Sequence, residues 1–264
     1  MAGARAAVAD ARPTSGGEHQ QRDYLCGPFH GARVLHDAGV AEWEGEAVDQ
    51  DLIAARAGTI LPAAEQGPAV PPGARSLRGY RHDLARGDAA DAGTAPEALA
   101  EAIAAAGSGS LRCLGLRGAW TAERVERLVD AAPSRGARLL ANLRTGPLWA
   151  SRPPPAALLA ALDGAPVAEP PPADWDVGHF VELARLVRGP GGSLVVVVDS
   201  YPELGWDGHH LQPPAALAAA LERGDGHVGG VLVAAPAARA AALWDLARGL
   251  GLEIGFWDNG TRGP

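Results

Sequence analysis

The sequence predicts an α+β fold in which a helix beginning near Cys26 packs on an antiparallel sheet with additional helices. Two stretches with many apolar residues, at 181–187 and 193–198, flank the turn 189–192, whose sequence is Gly-Pro-Gly-Gly. Strands separated by such a turn are typical of an antiparallel hairpin. The stretch that follows Cys26 has apolar residues at helical spacing, which indicates the helix.

The first predicted helix starts at about Cys26. Pro28 is tolerated in a first helical turn, where its missing N–H is not needed, and Gly39 is a typical stop. The unpaired N–H groups of that turn would favour negative charge on the Cys26 sulfur. The apolar positions of the helix are Phe29, Ala32, Val34, Leu35 and Ala38.

Further elements follow from apolar periodicity and turn residues. Thr94, with Glu97 three residues later, has the spacing of a capping box for a helix at 95–106. Thr121 is expected to begin a helix at 121–132 in the same way. The other predicted helices cover 47–57, 213–223 and 236–249, and the other predicted strands cover 110–116, 138–143, 229–234 and 252–257.

Composition narrows the function classes. A chain of 264 residues with 47% hydrophobic content is long enough to bury a sizeable core. Its net charge of −8 argues against nucleic-acid binding, which generally needs a basic face. The sequence has no run of about eighteen apolar residues and no apolar core of a signal peptide, so a cytoplasmic location away from membranes is expected.

The two cysteines, Cys26 and Cys113, are too few for a disulfide framework. Cys113 lies among leucines and is expected to be a small buried hydrophobic residue. Cys26 alone would be interpreted in the same way, but His179 and Asp199 follow it far downstream. A cysteine, a histidine and an aspartate are the nucleophile, base and orienting group of thiol catalysis.

The predicted hairpin places the last two of these residues together. His179 lies about ten residues before the centre of the turn and Asp199 about ten after it, so we expect their side chains to meet. A thiol with the ordinary cysteine pKa of about 8.5 needs a cationic histidine or a helix N-terminus to become a thiolate at neutral pH. The sequence therefore predicts a triad of Cys26, His179 and Asp199.

Thiol catalysis on a carbonyl also needs hydrogen-bond donors for an oxyanion. The backbone N–H of Cys26 is one candidate, and the side-chain amide of Gln20 is the other. Gln21 competes with Gln20, because a small shift of this loop would present either side chain. Gly27 has no side chain and is expected to let a substrate approach closely.

A family resemblance rests on Gln20, Cys26-Gly27, Gly178-His179 and Asp199. In type and order these residues resemble the papain-like cysteine peptidases, most closely the peptidase C39-like, bacteriocin-processing group. The resemblance covers roughly residues 18–40 and 138–235. It implies a papain-like fold, a cysteine peptidase without a cofactor, and Gln20 as oxyanion donor, since a Gln precedes Cys-Gly by the same interval in that group. Gly178 is assigned with Gly27 to substrate binding.

Residues 18–264 are expected to form a single catalytic domain that has, in comparison with this family, insertions at about 41–137 and 150–176. Residues 1–17 are expected to be a flexible leader, because they end in Pro-Thr-Ser-Gly-Gly. Two Pro-Pro-Pro runs frame the second insertion, which is expected to form a wall or lid of a cleft. Trp175, near its end, either contacts substrate or is an ordinary solvated loop residue.

Three functions fit these residues. One is a cysteine-dependent hydrolase that cleaves a peptide or amide bond through a thioester. The second is an acyl transferase or peptide-modifying cyclase, in which an amine takes the place of water. The third is a noncatalytic peptide-binding descendant, consistent with Leu25 before the cysteine and Ser200 after the aspartate.

The expected partner is a peptide or peptide-like substrate, and the sequence leaves the oligomeric state open. No metal is expected. His209 and His210 are adjacent, adjacent histidines rarely bind one ion together, and no third residue has ligand spacing.

Overall fold

The computed structural model describes residues 18–63 and 70–261, so the expected leader at 1–17 lies outside the described residues. It shows an α+β fold with a large antiparallel sheet. The strands are β1 (Glu42–Trp43), β2 (Glu46–Ala47), β3 (Ile60–Pro62), β4 (Ala85–Gly87), β5 (Leu111–Arg117), β6 (Arg138–Arg144), β7 (Gly178–Arg188), β8 (Ser193–Val198), β9 (His209–Gln212), β10 (Gly230–Pro236) and β11 (Glu253–Ile254).

Seven of these strands form the central sheet, in the order β11-β5-β10-β6-β7-β8-β9, and all neighbours are antiparallel. The predicted hairpin is confirmed, because β7 and β8 pair from Glu182 opposite Val198 to Arg188 opposite Ser193. The other four strands form two small sheets, β1 with β2 and β3 with β4.

Each predicted helix is present, with bounds within a few residues of the expected ones. Thr121 caps its helix as predicted, since its side chain accepts a hydrogen bond from Arg124 N. The capping box at Thr94 is wrong: Thr94 Oγ1 instead bonds Thr59 Oγ1 at 2.8 Å, and the helix starts after Ala95 without a side-chain cap. The helices are α1 (Cys26–Asp37), α2 (Gln50–Arg56), α3 (Pro96–Ala106), α4 (Ala122–Ala131), α5 (Pro155–Leu162), α6 (Pro214–Glu222) and α7 (Ala240–Gly249).

Helices cover both faces of the central sheet. On one face α1, α2 and α3 pack against apolar residues such as Leu140 and Phe180. On the other, α4, α6 and α7 pack against residues that include Val181 and Val197. Each residue of β8 is buried, which explains why its sequence after Ser193 is a continuous apolar run rather than an alternation.

The two expected insertions differ in their relation to the sheet. The segment 41–137 contains α2, α3 and α4 and also β5, a strand of the central sheet, so it belongs to the core of the fold. The segment 150–176 contains only α5 and connecting loops. Within the described part of the chain, no helix has the length and apolar character needed to cross a bilayer.

Leu99 is a sensitive point of the packing between α1 and α3. It is fully buried, and its methyl carbons lie 3.1 Å from the positions that a Cβ would take at Gly27 and Gly31. We expect Leu99→Ala to lower the free energy of unfolding by about 3 kcal/mol, because the helices cannot close the cavity fully.

The control is Leu159→Ala on α5, where the leucine is 55% exposed and the expected change is within about 0.5 kcal/mol. Urea unfolding followed by circular dichroism measures both variants. Equal losses in the two would contradict the packing described for α1 and α3.

Candidate active site

The central hairpin brings His179 and Asp199 into contact. His179 is the second residue of β7, and Asp199 follows the last residue of β8. His179 Nε2 lies 3.1 Å from Asp199 Oδ1, and the two side chains are 2% and 3% exposed. The contact predicted from the hairpin is confirmed.

Electrostatics favour the charged form of both partners. Burial by itself would lower the pKa of His179, but the charge and hydrogen bond of Asp199 outweigh it and, with the contribution of Cys26, raise the pKa to about 10. Burial opposes charge on Asp199 too, yet His179 and His210 hold the pKa of this carboxyl far below its ordinary value. Both shifts favour an imidazolium paired with a carboxylate.

Cys26 lies at the start of α1 and interacts electrostatically with the same imidazole. Cys26 is the first residue of that helix. The first turn of the helix contains no acidic side chain, and no side chain caps it. The free N–H groups and the helix dipole are thus available to an anion. A hydrogen bond in which the protonated imidazole donates to the Cys26 sulfur is among the causes that raise the pKa of His179. Because Nε2 of His179 pairs with Asp199, Nδ1 is the ring nitrogen available to the Cys26 sulfur.

The loop before Cys26 is anchored by residues distant in sequence. The buried carboxylate of Asp23 accepts hydrogen bonds from Ser76 Oγ and from Leu77 N, at 2.5 and 3.0 Å. Tyr80 Oη donates to the backbone carbonyl of Asp23 at 3.0 Å. Tyr24 has a positive φ of 66°, a conformation that is strained for a bulky residue and needs such support. No local sequence pattern indicates this anchor, because its partners lie more than fifty residues away.

The two glutamines occupy different environments. Gln20 Nε2 donates to the backbone carbonyl of Arg75 at 2.6 Å, at an exposed position. Gln21 is 4% exposed, and its Oε1 accepts a hydrogen bond from Ser200 Oγ at 2.5 Å. Ser200 Oγ lies 3.5 Å from His179 Nε2. Gln21, the second choice in the sequence analysis, is thus the glutamine beside the His–Asp pair.

The two glycines assigned to substrate binding have packing explanations. A Cβ at Gly27 would lie 3.1 Å from Leu99 Cδ2 and 3.2 Å from Phe180 Cδ2, so the missing side chain lets α1 approach its neighbours. Gly27 is itself buried. Gly178 is exposed, and a Cβ there would lie 3.1 Å from the guanidinium of Arg223. Of the two, Gly178 is the one open to solvent beside His179.

Two aromatic rings enclose the imidazole of His179. Trp175 meets the imidazole edge to face at 5.1 Å between ring centroids, and Tyr201 stacks on it at 6.1 Å. Trp175 also contacts Tyr201, at 5.4 Å. Tyr201 and Ser200 were missed from sequence, although their position directly after Asp199 was a usable signal. Trp175 lies against the histidine rather than out in solvent.

The rest of the 150–176 segment lies around a separate groove. This groove, of about 600 Å³, is bounded by α5, by the proline run 170–172 and by the start of α6. Its lining contains none of Cys26, His179 and Asp199. Trp175, near the end of the segment, instead lies against His179.

The raised pKa of His179 predicts how stability depends on pH. Because the folded value of about 10 exceeds the ordinary 6.5, the contribution of this residue is complete below pH 6.5 and is lost as pH rises toward 10. We expect the free energy of unfolding to fall more over this range in the wild type than in His179→Gln, whose side chain does not titrate.

Urea unfolding at about pH 6, 8 and 10 measures this difference. The matched control is His227→Gln at an exposed histidine, which should keep the pH dependence of the wild type. The same decline in the wild type and in His179→Gln would show that this imidazole is not the group responsible.

A model for a family of unknown function, DUF6885, matches residues 2–258. The match spans almost the entire chain, and the chain belongs to this family. Neither a curated protein nor a solved structure matches it.

Proposed function

We propose that this member of the DUF6885 family is a cysteine-dependent hydrolase that cleaves a peptide or amide bond, with Cys26, His179 and Asp199 as its triad. The observation that best supports this is the buried His179–Asp199 pair, and Cys26 is among the groups that raise the pKa of its imidazole. If His179 had only a structural role, a cysteine at a helix start without a side-chain cap would not be required.

In the proposed reaction the Cys26 thiolate attacks the carbonyl carbon and forms a tetrahedral oxyanion. The imidazolium of His179 gives its proton to the departing amine as the C–N bond breaks, which leaves a thioester on Cys26. Water then attacks the thioester, His179 accepts a proton from it, and the acid leaves as the thiolate returns. Asp199 holds the tautomer and stabilises the imidazolium in both steps.

For the oxyanion we propose the Cys26 backbone N–H and the side-chain amide of Gln21. Gln21 Oε1 accepts a hydrogen bond from Ser200 Oγ, so the NH2 group of the same amide points away from Ser200. Its one described acceptor is the Arg22 carbonyl, at a long 3.3 Å. Gln20 is less favoured, because its amide already donates to Arg75 at 2.6 Å.

We also propose that the fold is papain-like. A helix that begins at the cysteine, a histidine at the start of a sheet strand and an aspartate at the end of the antiparallel neighbour all support this. The same site serves an acyl transferase or cyclase when an amine accepts the acyl group.

Selective alkylation tests the thiolate. At about pH 6 a thiol of ordinary pKa is only about 0.3% ionised, whereas a cysteine paired with an imidazolium is a thiolate to a much larger fraction. The larger thiolate fraction raises the alkylation rate, and the weaker nucleophilicity of such a thiolate offsets part of this increase. We expect iodoacetamide to modify Cys26 about tenfold faster than free cysteine, and His179→Ala to abolish the difference.

Cys113 is the internal control, since burial raises the pKa of its thiol to about 12. Peptide mapping by mass spectrometry reports the two sites separately. If both cysteines react at the rate of an ordinary thiol, the proposed hydrolase and the transferase alternative both fail, and a noncatalytic binding role is favoured.

The oxyanion assignment is tested by comparing two reactions. Acylation of Cys26 by an activated aryl ester forms an oxyanion, whereas alkylation by iodoacetamide does not. We expect Gln21→Ala to slow acylation by about a hundredfold or more relative to alkylation.

The matched variant, Gln20→Ala, is expected to change that ratio by less than about threefold. The reverse order of effects would restore Gln20 as the donor. Added hydroxylamine or glycine ethyl ester shows whether an amine intercepts the acyl-enzyme, which would indicate a transferase.

A further inference from the structure

We propose that His210 is a positioning residue for the triad: a neutral imidazole whose Nε2–H is directed at Asp199 Oδ2. This inference rests on the proposed function of the same site. His210 Nε2 lies 3.9 Å from Asp199 Oδ2, while His179 binds the other carboxylate oxygen. Asp199 thus lies between two histidines, one on each oxygen.

The strand register puts His210 on the correct side of the sheet. His210 is opposite Val197 in the β8–β9 pair, and Gln212 is opposite Val195. Side chains two residues apart share a face, so Asp199, which follows β8, projects toward the same side as Val197. His210 and Gln212 are 3% and 0% exposed, so their polar atoms must be satisfied within the protein.

Hydrogen bonds around Gln212 fix the tautomer of His210. Trp149 N donates to Gln212 Oε1, and Gln212 Nε2 donates to the Trp149 carbonyl, both at 2.8 Å. This pairing determines which end of the amide is nitrogen. That nitrogen lies 3.0 Å from His210 Nδ1, so Nδ1 is the acceptor. The ring proton of neutral His210 is therefore on Nε2.

The Nε2–H of His210 has no hydrogen-bond acceptor among the described residues, although its atom is fully buried. A buried donor without an acceptor costs about 1–3 kcal/mol, which favours closing the gap to the nearest acceptor. That nearest charged acceptor is Asp199 Oδ2, at 3.9 Å. A small rotation of the carboxylate makes the hydrogen bond and keeps Oδ1 on His179.

Such a hydrogen bond has a specific consequence for catalysis. Asp199 Oδ1 already accepts from His179 Nε2 and from Tyr201 N, each at 3.1 Å. With Oδ2 held by His210, the carboxylate cannot turn away from His179, and its negative charge stays where it stabilises the imidazolium. Without that donor, Oδ2 is a buried, unpartnered charge, and the ion pair with His179 weakens.

Two substitutions separate positioning from packing. His210→Phe keeps a ring of similar size and removes the donor, whereas His210→Gln places an amide N–H near the position of Nε2. The pH profile of Cys26 alkylation by iodoacetate is the readout. This anionic reagent is attracted by the imidazolium of His179, so the upper limb of its rate profile reports loss of that charge. We expect that limb to move to lower pH in His210→Phe, with a roughly tenfold lower rate at about pH 8, and to stay within about twofold of wild type in His210→Gln.

His227→Gln, at an exposed histidine, is the control and should leave the profile unchanged. Thermal unfolding establishes that each variant is folded. An unmoved upper limb in a folded His210→Phe protein would overturn the positioning role.

A measurement on the wild type tests the inference without any variant. Two-dimensional ¹⁵N–¹H spectra of the imidazoles identify which nitrogen of His210 bears the proton, and we expect Nε2–H. An Nδ1–H tautomer would overturn the inference even if Cys26 is highly reactive. Ordinary reactivity of Cys26 with the expected His210 tautomer would instead reject the proposed function and leave the placement of His210 intact.

Discussion

The buried ion pair of His179 and Asp199 is the constraint on which the candidate site depends. Removing two charges from water costs several kcal/mol per ion, and only their mutual attraction and further hydrogen bonds offset that cost. The surroundings are consistent with this requirement. Tyr201 N donates to the carboxylate, and the rings of Trp175 and Tyr201 cover the imidazole. If the ion pair were exposed, water would solvate both charges, and these contacts would not be needed to offset the cost of burying them.

The same constraint explains why the site lies at the end of strands rather than in their middle. Helices cover both faces of the central sheet, so a side chain in mid-strand is dry but inaccessible. At the start of β7 and the end of β8, the sheet keeps the charges dry while the N-terminus of α1 approaches from one side. At this edge of the sheet the two charges are therefore shielded from water and still accessible to the N-terminus of α1.

What could be predicted from sequence was determined by short-range pattern. The hairpin around 189–192 follows from local residue types, so the contact of His179 with Asp199 followed as well. The helix at Cys26 was predicted for the same reason. The seven-stranded order was not predicted, because the pairing of β5 with β10 and β11 joins segments more than a hundred residues apart.

Side-chain partners supplied by distant segments could not be predicted. Thr94 matched a capping box, but a buried hydroxyl from Thr59 is its partner in the fold. The environments of Gln20 and Gln21 depend on Arg75 and Ser200, which no local pattern connects to them. The sequence motif identified which residue types are present, and tertiary contacts determine which of two adjacent amides lies beside the histidine.

The anchoring of the loop before Cys26 has a consequence for the order of synthesis. Asp23 is held by Ser76, Leu77 and Tyr80, and the imidazole and carboxylate come from positions 179 and 199. As the ribosome extends the chain, Cys26 emerges early, but the groups that would activate it emerge only after most of the protein has been translated. Contacts of such long sequence separation form late and slowly. The nascent polypeptide therefore presents an ordinary thiol, and the chemistry proposed for Cys26 begins only once translation has passed the last strand of the hairpin.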